Sequence, residues 1–349
     1  MENQSLLTLR PLRLGELLDR AIRLYRGNFL SYIGIIALVY VPLTVLQTAA
    51  SALMSSSMLN RMSTPQDILA NYGYSIGVLS TFILSFLQIL LVQGIATGAL
   101  TRAVADNYLG SKTGIADAYR GIRTSWFTLL GAILLFGIII FVITLWWLVP
   151  CIGWVTGFGM IMFVTTAISP LLPPIVVLEH QGAFDAMRRA WSLARRRFWP
   201  LLGFVLVLYL FSLVIVNGPA IIANVLLMQV LDSLGNSSMQ TVLLPVIQGL
   251  VSLIFVLLYL PLQVTALTLV YFDLRVRTEG LDLAILALQT SGSTDLSAAL
   301  SAPVPSDERL VTWPEMGNFL ILTLAGVGLY FFFFSFIMGI MLLFTSSFR

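Results

Sequence analysis

The sequence predicts an all-α, polytopic integral membrane helix bundle of about seven transmembrane helices, with three to four amphipathic interfacial helices on the cytoplasmic side. Three observations predict it. First, 58% of the 349 residues are hydrophobic and 10% are charged, against about 25% charged in an ordinary soluble domain. Apolar residues in such excess have to face lipid. Second, seven apolar runs are each long enough to cross a hydrocarbon layer, which takes about 20 helical residues. Third, basic amphipathic segments separate these runs on alternate sides, as in EHQGAFDAMRRAWSLARRRFW, residues 179–199.

In that segment Ala183, Phe184, Met187, Ala190, Trp191, Ala194 and Phe198 share one side at helical spacing. Asp185, Arg188, Arg189, Ser192, Arg195 and Arg196 share the other, the pattern of a helix lying in the headgroup layer. Along the chain, a first such helix begins near Leu14, its stripe being Leu14, Leu17, Leu18, Ala21, Leu24 and Tyr25. The first span, about 29–54, contains Pro42, which kinks it. Ala50-Ser51-Ala52 resembles a signal-peptide cleavage site, but the apolar run is too long and its preceding segment too structured, so retention is expected. Residues 55–74 read as an outside loop, and the second span as about 75–100.

A second amphipathic helix follows, with Ile115, Ala118, Tyr119, Ile122 and Trp126 on one face and Asp117, Arg120 and Arg123 across from them. The third span, 127–148, ends in Trp146-Trp147, aromatic anchors at the opposite interface. A tight turn at Pro150 leads into the fourth, 154–178, whose inner end Pro170, Pro173 and Pro174 break or extend. The fifth span is about 200–227, the sixth 243–269 and the seventh 316–343, the last after a Ser/Pro-rich linker over 288–314. Residues 1–287 thus form a six-span domain, and 315–349 add a seventh helix.

Seventeen of the nineteen basic residues fall on one side of this topology, and only Arg61 and Arg349 on the other. The positive-inside rule makes the first side cytoplasmic, with the amino terminus inside and the carboxyl terminus outside. Three blocks share a glycine, an aspartate and a following alanine and arginine, beginning at Gly15, Gly114 and Gly182. They divide the six spans into repeats of about 9–100, 101–178 and 179–271, each an amphipathic helix plus two spans, closed by YFDLRVRTEGLDL at 271–283.

LRPLRLGELLDRAIRLYRGNF (9–29), DAMRRAWSLARRRFWPLL and LVYFDLRVRTEGLDL together resemble the three blocks of the glycerophosphoryl diester phosphodiesterase membrane-domain family. The resemblance covers about residues 9–290 and implies a stand-alone membrane region without the phosphodiesterase domain. It carries over no activity.

Enzyme chemistry is not expected. A metal-dependent phosphodiesterase needs several acid, base and ligand side chains, whereas the chain has one His (His180) and one Cys (Cys151). Nucleophile elbows and phosphate-binding glycine loops are absent. No catalytic residue, metal ligand set, cofactor or nucleic-acid partner is expected. Coupled transport usually leaves charges inside spans, and these spans hold only neutral polar groups such as Gln47, Gln93, Asn217, Asn224 and Gln248. A path for an apolar or lipid-like substrate needs no such charge and stays open as the alternative.

The expectation is a non-catalytic scaffold or accessory subunit. Its contacts to anionic headgroups or a protein partner would be Arg20, Arg23, Arg26, Arg120, Arg123, Arg188, Arg189, Arg195, Arg196, Arg275 and Arg277. Asp19, Asp117, Asp185, Asp273, Glu279 and Asp282 are expected in structural ion pairs, with Gly280 ending the helix that carries the last motif.

Overall fold

The structure, a computed structural model, describes residues 10–63, 68–150, 152–233, 237–290, 300 and 312–346. All regular structure among them is helical, and seven helical stretches are long and apolar enough to cross a membrane. In chain order the helices are α1 (Leu14–Gly27), α2 (Phe29–Ser63), α3 (Ile68–Gln88), α4 (Thr97–Tyr108), α5 (Ile115–Gly121), α6 (Trp126–Leu145) and α7 (Ile152–Ile168). They continue as α8 (Leu172–Leu178), α9 (Ala183–Arg195), α10 (Phe198–Ser212), α11 (Gly218–Ser233), α12 (Ser237–Glu279), α13 (Leu281–Thr290) and α14 (Trp313–Ser346).

The core sits at one end of the bundle. There the ends of the returning spans, α4, α8 and the last turns of α12, meet and are wrapped by α1, α5 and α9. Ala99, Ala103, Ile175, Ala266, Leu269 and Tyr271 are buried in that junction. The small alanines let the helix axes approach closely, as in other helix pairs that lipid surrounds. The spans run well past the hydrocarbon thickness to reach it. Tyr72–Tyr108 is 37 residues, on the order of 55 Å at ~1.5 Å per residue, against ~30 Å for a bilayer core. Toward the other end the same helices expose Phe82, Ile138, Phe141, Ile221 and Ile222.

Side-chain bonds from the short helices tie the basic end to the spans. Tyr25 of α1 donates to the Leu258 carbonyl of α12 at 2.9 Å, and burial pushes its hydroxyl up to about 12, so it remains a donor. Tyr119 of α5 donates to the Ile35 carbonyl of α2 at 2.7 Å.

Several boundaries differ from the sequence expectation. The outside loop read over 55–74 is mostly helix, since α2 runs to Ser63 and α3 starts at Ile68. Prolines also act unevenly. Pro170, Pro173 and Pro174 do separate α7 from α8, whereas Pro42, Pro245 and Pro261 lie inside continuous helices. The irregular helix falls instead at two π-helical stretches, Ile89–Ala96 and Leu213–Asn217. Each widens one turn inside a span, leaving carbonyls to other partners. Thr97 donates its hydroxyl to the Gln93 carbonyl, and Asn217 its amide to the Ser212 carbonyl at 3.4 Å.

The seventh helix is held by contact rather than chain proximity. α14 packs along α7, where the backbone of Gly159 lies against Thr323 and that of Gly326 against Phe158. A β-carbon at Gly159 would lie 3.1 Å from the Thr323 Cα, so glycine sets the helix separation there. Phe163, Phe198, Leu202 and Leu322 bury a second, smaller apolar cluster beside it. Of the linker read over 288–314, the first three residues continue α13. The residues 291–299 and 301–311 lie outside the described part.

Candidate functional site

The densest chemistry of the molecule is where α8, α9 and α12 meet. Glu179 is the residue after α8, and Arg189 is on α9. Tyr271, Arg275 and Glu279 stand four residues apart on α12, which puts them on one face of its last turns. Arg189 donates through Nε to Glu179 Oε2 at 3.0 Å and through Nη2 to Glu279 Oε2 at 2.7 Å. Arg275 donates through Nε to Glu279 Oε2 at 3.0 Å and lies 3.6 Å from Glu179 Oε1. Tyr271 gives its hydroxyl proton to Glu179 Oε1 at 2.9 Å and accepts from Arg275 Nη1 at 3.1 Å. Arg275 Nη1 also donates to the Leu300 carbonyl at 2.8 Å, holding the chain beyond α13 against the network.

These four charges sum to zero, and none of their side chains exceeds 9% exposure. Burial alone would lower the Arg189 guanidinium's affinity for its proton. The bonds to Glu279 and Glu179 outweigh that and raise it, so the group is a permanent cation. Buried pairs of this kind gain little over an apolar core, but losing one partner strands the others without water. The network is therefore a lock on the mutual position of three helices.

Next to it is a clasp. Asp273 Oδ1 accepts from the Leu12 N–H at 2.7 Å, and Arg277 Nη2 donates to the Leu12 carbonyl at 2.6 Å. Arg277 Nε and Asp273 Oδ2 pair at 2.8 Å. The ion pair thus grips both polar groups of one peptide residue across 261 positions of sequence. Gly280 ends α12 with φ +65, a conformation natural to glycine. A third attachment secures α14: Arg195 lies 3.5 Å from Glu315, and Trp199 Nε1 donates to Asn318 Oδ1 at 2.9 Å.

The chain matches no protein-family model, no curated protein and no solved structure.

The expected contact arginines divide into two groups. Arg23, Arg26, Arg120, Arg123, Arg188 and Arg196 are exposed on or next to α1, α5 and α9. Arg20 is half-buried over the Tyr108 ring at 5.1 Å. Arg189 and Arg275 do not belong to a headgroup or partner surface: they are inside the fold, with their donors taken up by Glu179, Glu279, Tyr271 and Leu300. Arg195 and Arg277 are likewise committed, to Glu315 and to Asp273 with Leu12. The physical reason is that acidic partners 10 and 90 residues away turn Arg189 inward. α9 is accordingly rotated from its expected stripe. Phe184 is 62% exposed, while Ala186, Leu193 and Ser192 are buried.

Of the acidic residues, Asp117 pairs with Arg120 at 3.4 Å, Asp273 with Arg277, and Glu279 with Arg275 and Arg189. Asp19, Asp185 and Asp282 make no ion pair among the described residues. Glu179 and Tyr271 are the members that sequence reasoning missed. The available signal was an acid placed directly after an apolar span with no neighbouring cation to neutralise it. His180, adjacent, takes φ 53 and meets the Ser125 hydroxyl at 3.2 Å through Nδ1, which fixes the start of α6.

Far from this end, Asn217, Asn224, Gln248 and Ser252 line a cavity of about 230 Å³ between α11 and α12, beside the second π-helical stretch. Gln248 donates to Asn224 across it at 2.7 Å.

Proposed function

We propose that the protein is a non-catalytic integral membrane module, a scaffold or accessory subunit whose basic end faces the cytoplasm and binds anionic lipid and a protein partner. One observation carries the reading. The buried charges are neutralised within the fold, whereas the guanidinium groups of Arg23, Arg26, Arg120, Arg123, Arg188 and Arg196 are left outward on short helices at the ends of apolar spans. Guanidinium groups so placed attract phosphate oxygens of a membrane surface at about 1 kcal/mol per charge. The positive-inside bias supports an amino terminus inside and a carboxyl terminus outside, and the resemblance of the three sequence blocks supports a bacterial inner membrane. The succession of a short helix, an outgoing span and a returning span, three times over, supports an origin by duplication and a kinship with the glycerophosphoryl diester phosphodiesterase membrane-domain family.

The test is reconstitution into liposomes with and without anionic lipid, paired with mass spectrometry of what copurifies in nanodiscs. Stability that rises with anionic lipid, together with a stoichiometric protein partner, supports the module. Indifference to lipid charge and no partner overturns it.

A second reading, a transporter or lipid-handling protein, rests on the cavity lined by Asn217, Asn224 and Gln248. Its neutral donors and acceptors suit a neutral or lipid-like substrate. Counterflow of a labelled lipid lost in Gln248→Leu would favour it.

A further inference from the structure

Beside the clasp is a cleft of about 300 Å³ between α1, α10 and α12. Its floor is apolar, formed by Leu17, Leu201, Phe204 and Val270, and its mouth carries Arg13, Arg197 and Arg277. Asp273 is the acidic residue of the lining, and Arg277 and Leu12 already occupy its two oxygens. Arg13 and Arg197 are both exposed, and no carboxylate engages either guanidinium among the described residues.

The placement joins two chemistries at one depth. Pro200, Leu201 and Phe204 belong to the first turns of an apolar span and Val270 to the last turns of another. Arg13 and Arg197 stand immediately outside, at the amino-terminal caps of α1 and α10. Arginine is a poor residue at a helix N-terminus, where the backbone dipole is already positive. Glu16 caps α1 through the Arg13 N–H at 3.2 Å and pairs with Arg10 at 3.3 Å, but neither bond takes up the Arg13 guanidinium, so two guanidinium groups still line one apolar cleft and an anion would neutralise them.

We propose that this cleft holds one anionic phospholipid, its phosphate between Arg13 and Arg197 and the adjoining acyl methylenes on the apolar floor. The inference rests on the anionic-lipid reading above and narrows it from a surface preference to a discrete site. Charge complementarity selects the headgroup, and the floor's continuity with the spans selects a lipid over a soluble phosphate. Guanidinium suits the task, because its fork matches phosphate oxygens in pairs.

The experiment is native mass spectrometry of the full chain released from nanodiscs of mixed phosphatidylglycerol and phosphatidylcholine. One retained phosphatidylglycerol per protein is expected, at least about tenfold preferred over phosphatidylcholine. The double variant R13Q/R197Q should lose that retention, while R102Q/K112Q, outside both the cleft and the headgroup contacts named above and with the same change in net charge, keeps it. Leu201→Trp, which fills the floor and leaves the charges in place, should also lose it. Circular dichroism and thermal unfolding establish that each variant is folded. Equal loss in both double variants would overturn the cleft and leave the general lipid reading standing. Retention in R13Q/R197Q, or displacement of the lipid by glycerol phosphate alone, would also overturn the cleft. Liposome stability independent of anionic lipid in every protein would overturn both.

Discussion

The second and third short helices start alike and are used differently. α5 opens Gly114-Ile115-Ala116-Asp117-Ala118, α9 opens Gly182-Ala183-Phe184-Asp185-Ala186, and the alanine after each aspartate, Ala118 or Ala186, is fully buried. Three residues after each aspartate comes an exposed arginine, Arg120 or Arg188. At the following position they part. α5 has Gly121, whose missing side chain leaves room for Arg102, and α9 has Arg189, buried between two carboxylates. One register of one pattern therefore gives an adaptable surface in α5 and a fixed junction in α9. Distant carboxylates decide which, since nothing local distinguishes Arg188 from Arg189.

The sharpest way to break the comparison is Arg189→Met. It leaves Arg275 as the one cation beside Glu179 and Glu279, a buried excess of one negative charge, and a loss of about 3–5 kcal/mol is expected, read by denaturant unfolding in nanodiscs. Adding E179Q alone, which leaves Arg275 paired with Glu279 and the junction neutral, should return a large part of it. A stability loss below that of a surface variant would mean that the network is not the lock described here.

Asp273→Ala comes next. It frees the Leu12 N–H and the Arg277 Nε, leaving the Arg277 bond to the Leu12 carbonyl, at about 1–3 kcal/mol for the unpaired groups. The effect should be local, with faster amide hydrogen exchange in α1 and an unchanged rate in α9.

Gly326→Val drives a side chain against Phe158, where a β-carbon would already lie 2.2 Å from a ring atom. Overpacking costs about 1–3 kcal/mol, and here it should displace α14 alone. A cysteine crosslink between α7 and α14 that forms in the parent and fails in the variant checks it.

The smallest effect belongs to α5. Arg120→Gln removes an ion pair whose side chains are 81% and 65% exposed, so stability should move by less than about 0.5 kcal/mol. Association with anionic liposomes should still weaken. Equal and large losses in Arg120→Gln and Arg189→Met would erase the distinction between the two helices.

What the sequence made legible follows from what is local. The seven apolar stretches, the break at Pro170–Pro174 and the stop at Gly280 depend on neighbouring residues, and the structure has all of them. The apolar positions of α1 at Leu17, Ala21 and Tyr25 are buried as helical spacing requires. Long-range electrostatics was not legible. Period and amphipathicity put Arg189 with Arg188 on a wet face, because the pattern holds no information about Glu279, ninety residues on. Glu179 was missed for the same reason. The two π-helical stretches were equally hidden, since neither contains a proline and Pro42, read as a kink, sits in continuous helix.

The grip of Asp273 and Arg277 on Leu12 sets an order for biogenesis. The amino-terminal segment leaves the ribosome first, yet its partners emerge 261 residues later. At about 5–20 residues per second, α1 waits on the order of tens of seconds before its docking site exists. During that wait Leu17, Ala21 and Tyr25 have no α12 to cover them, and the apolar face of α1 has to be sheltered elsewhere. The late-made turns of α12 then close onto residues made far earlier, so a chain truncated before Asp273 would leave Leu12 and α1 undocked.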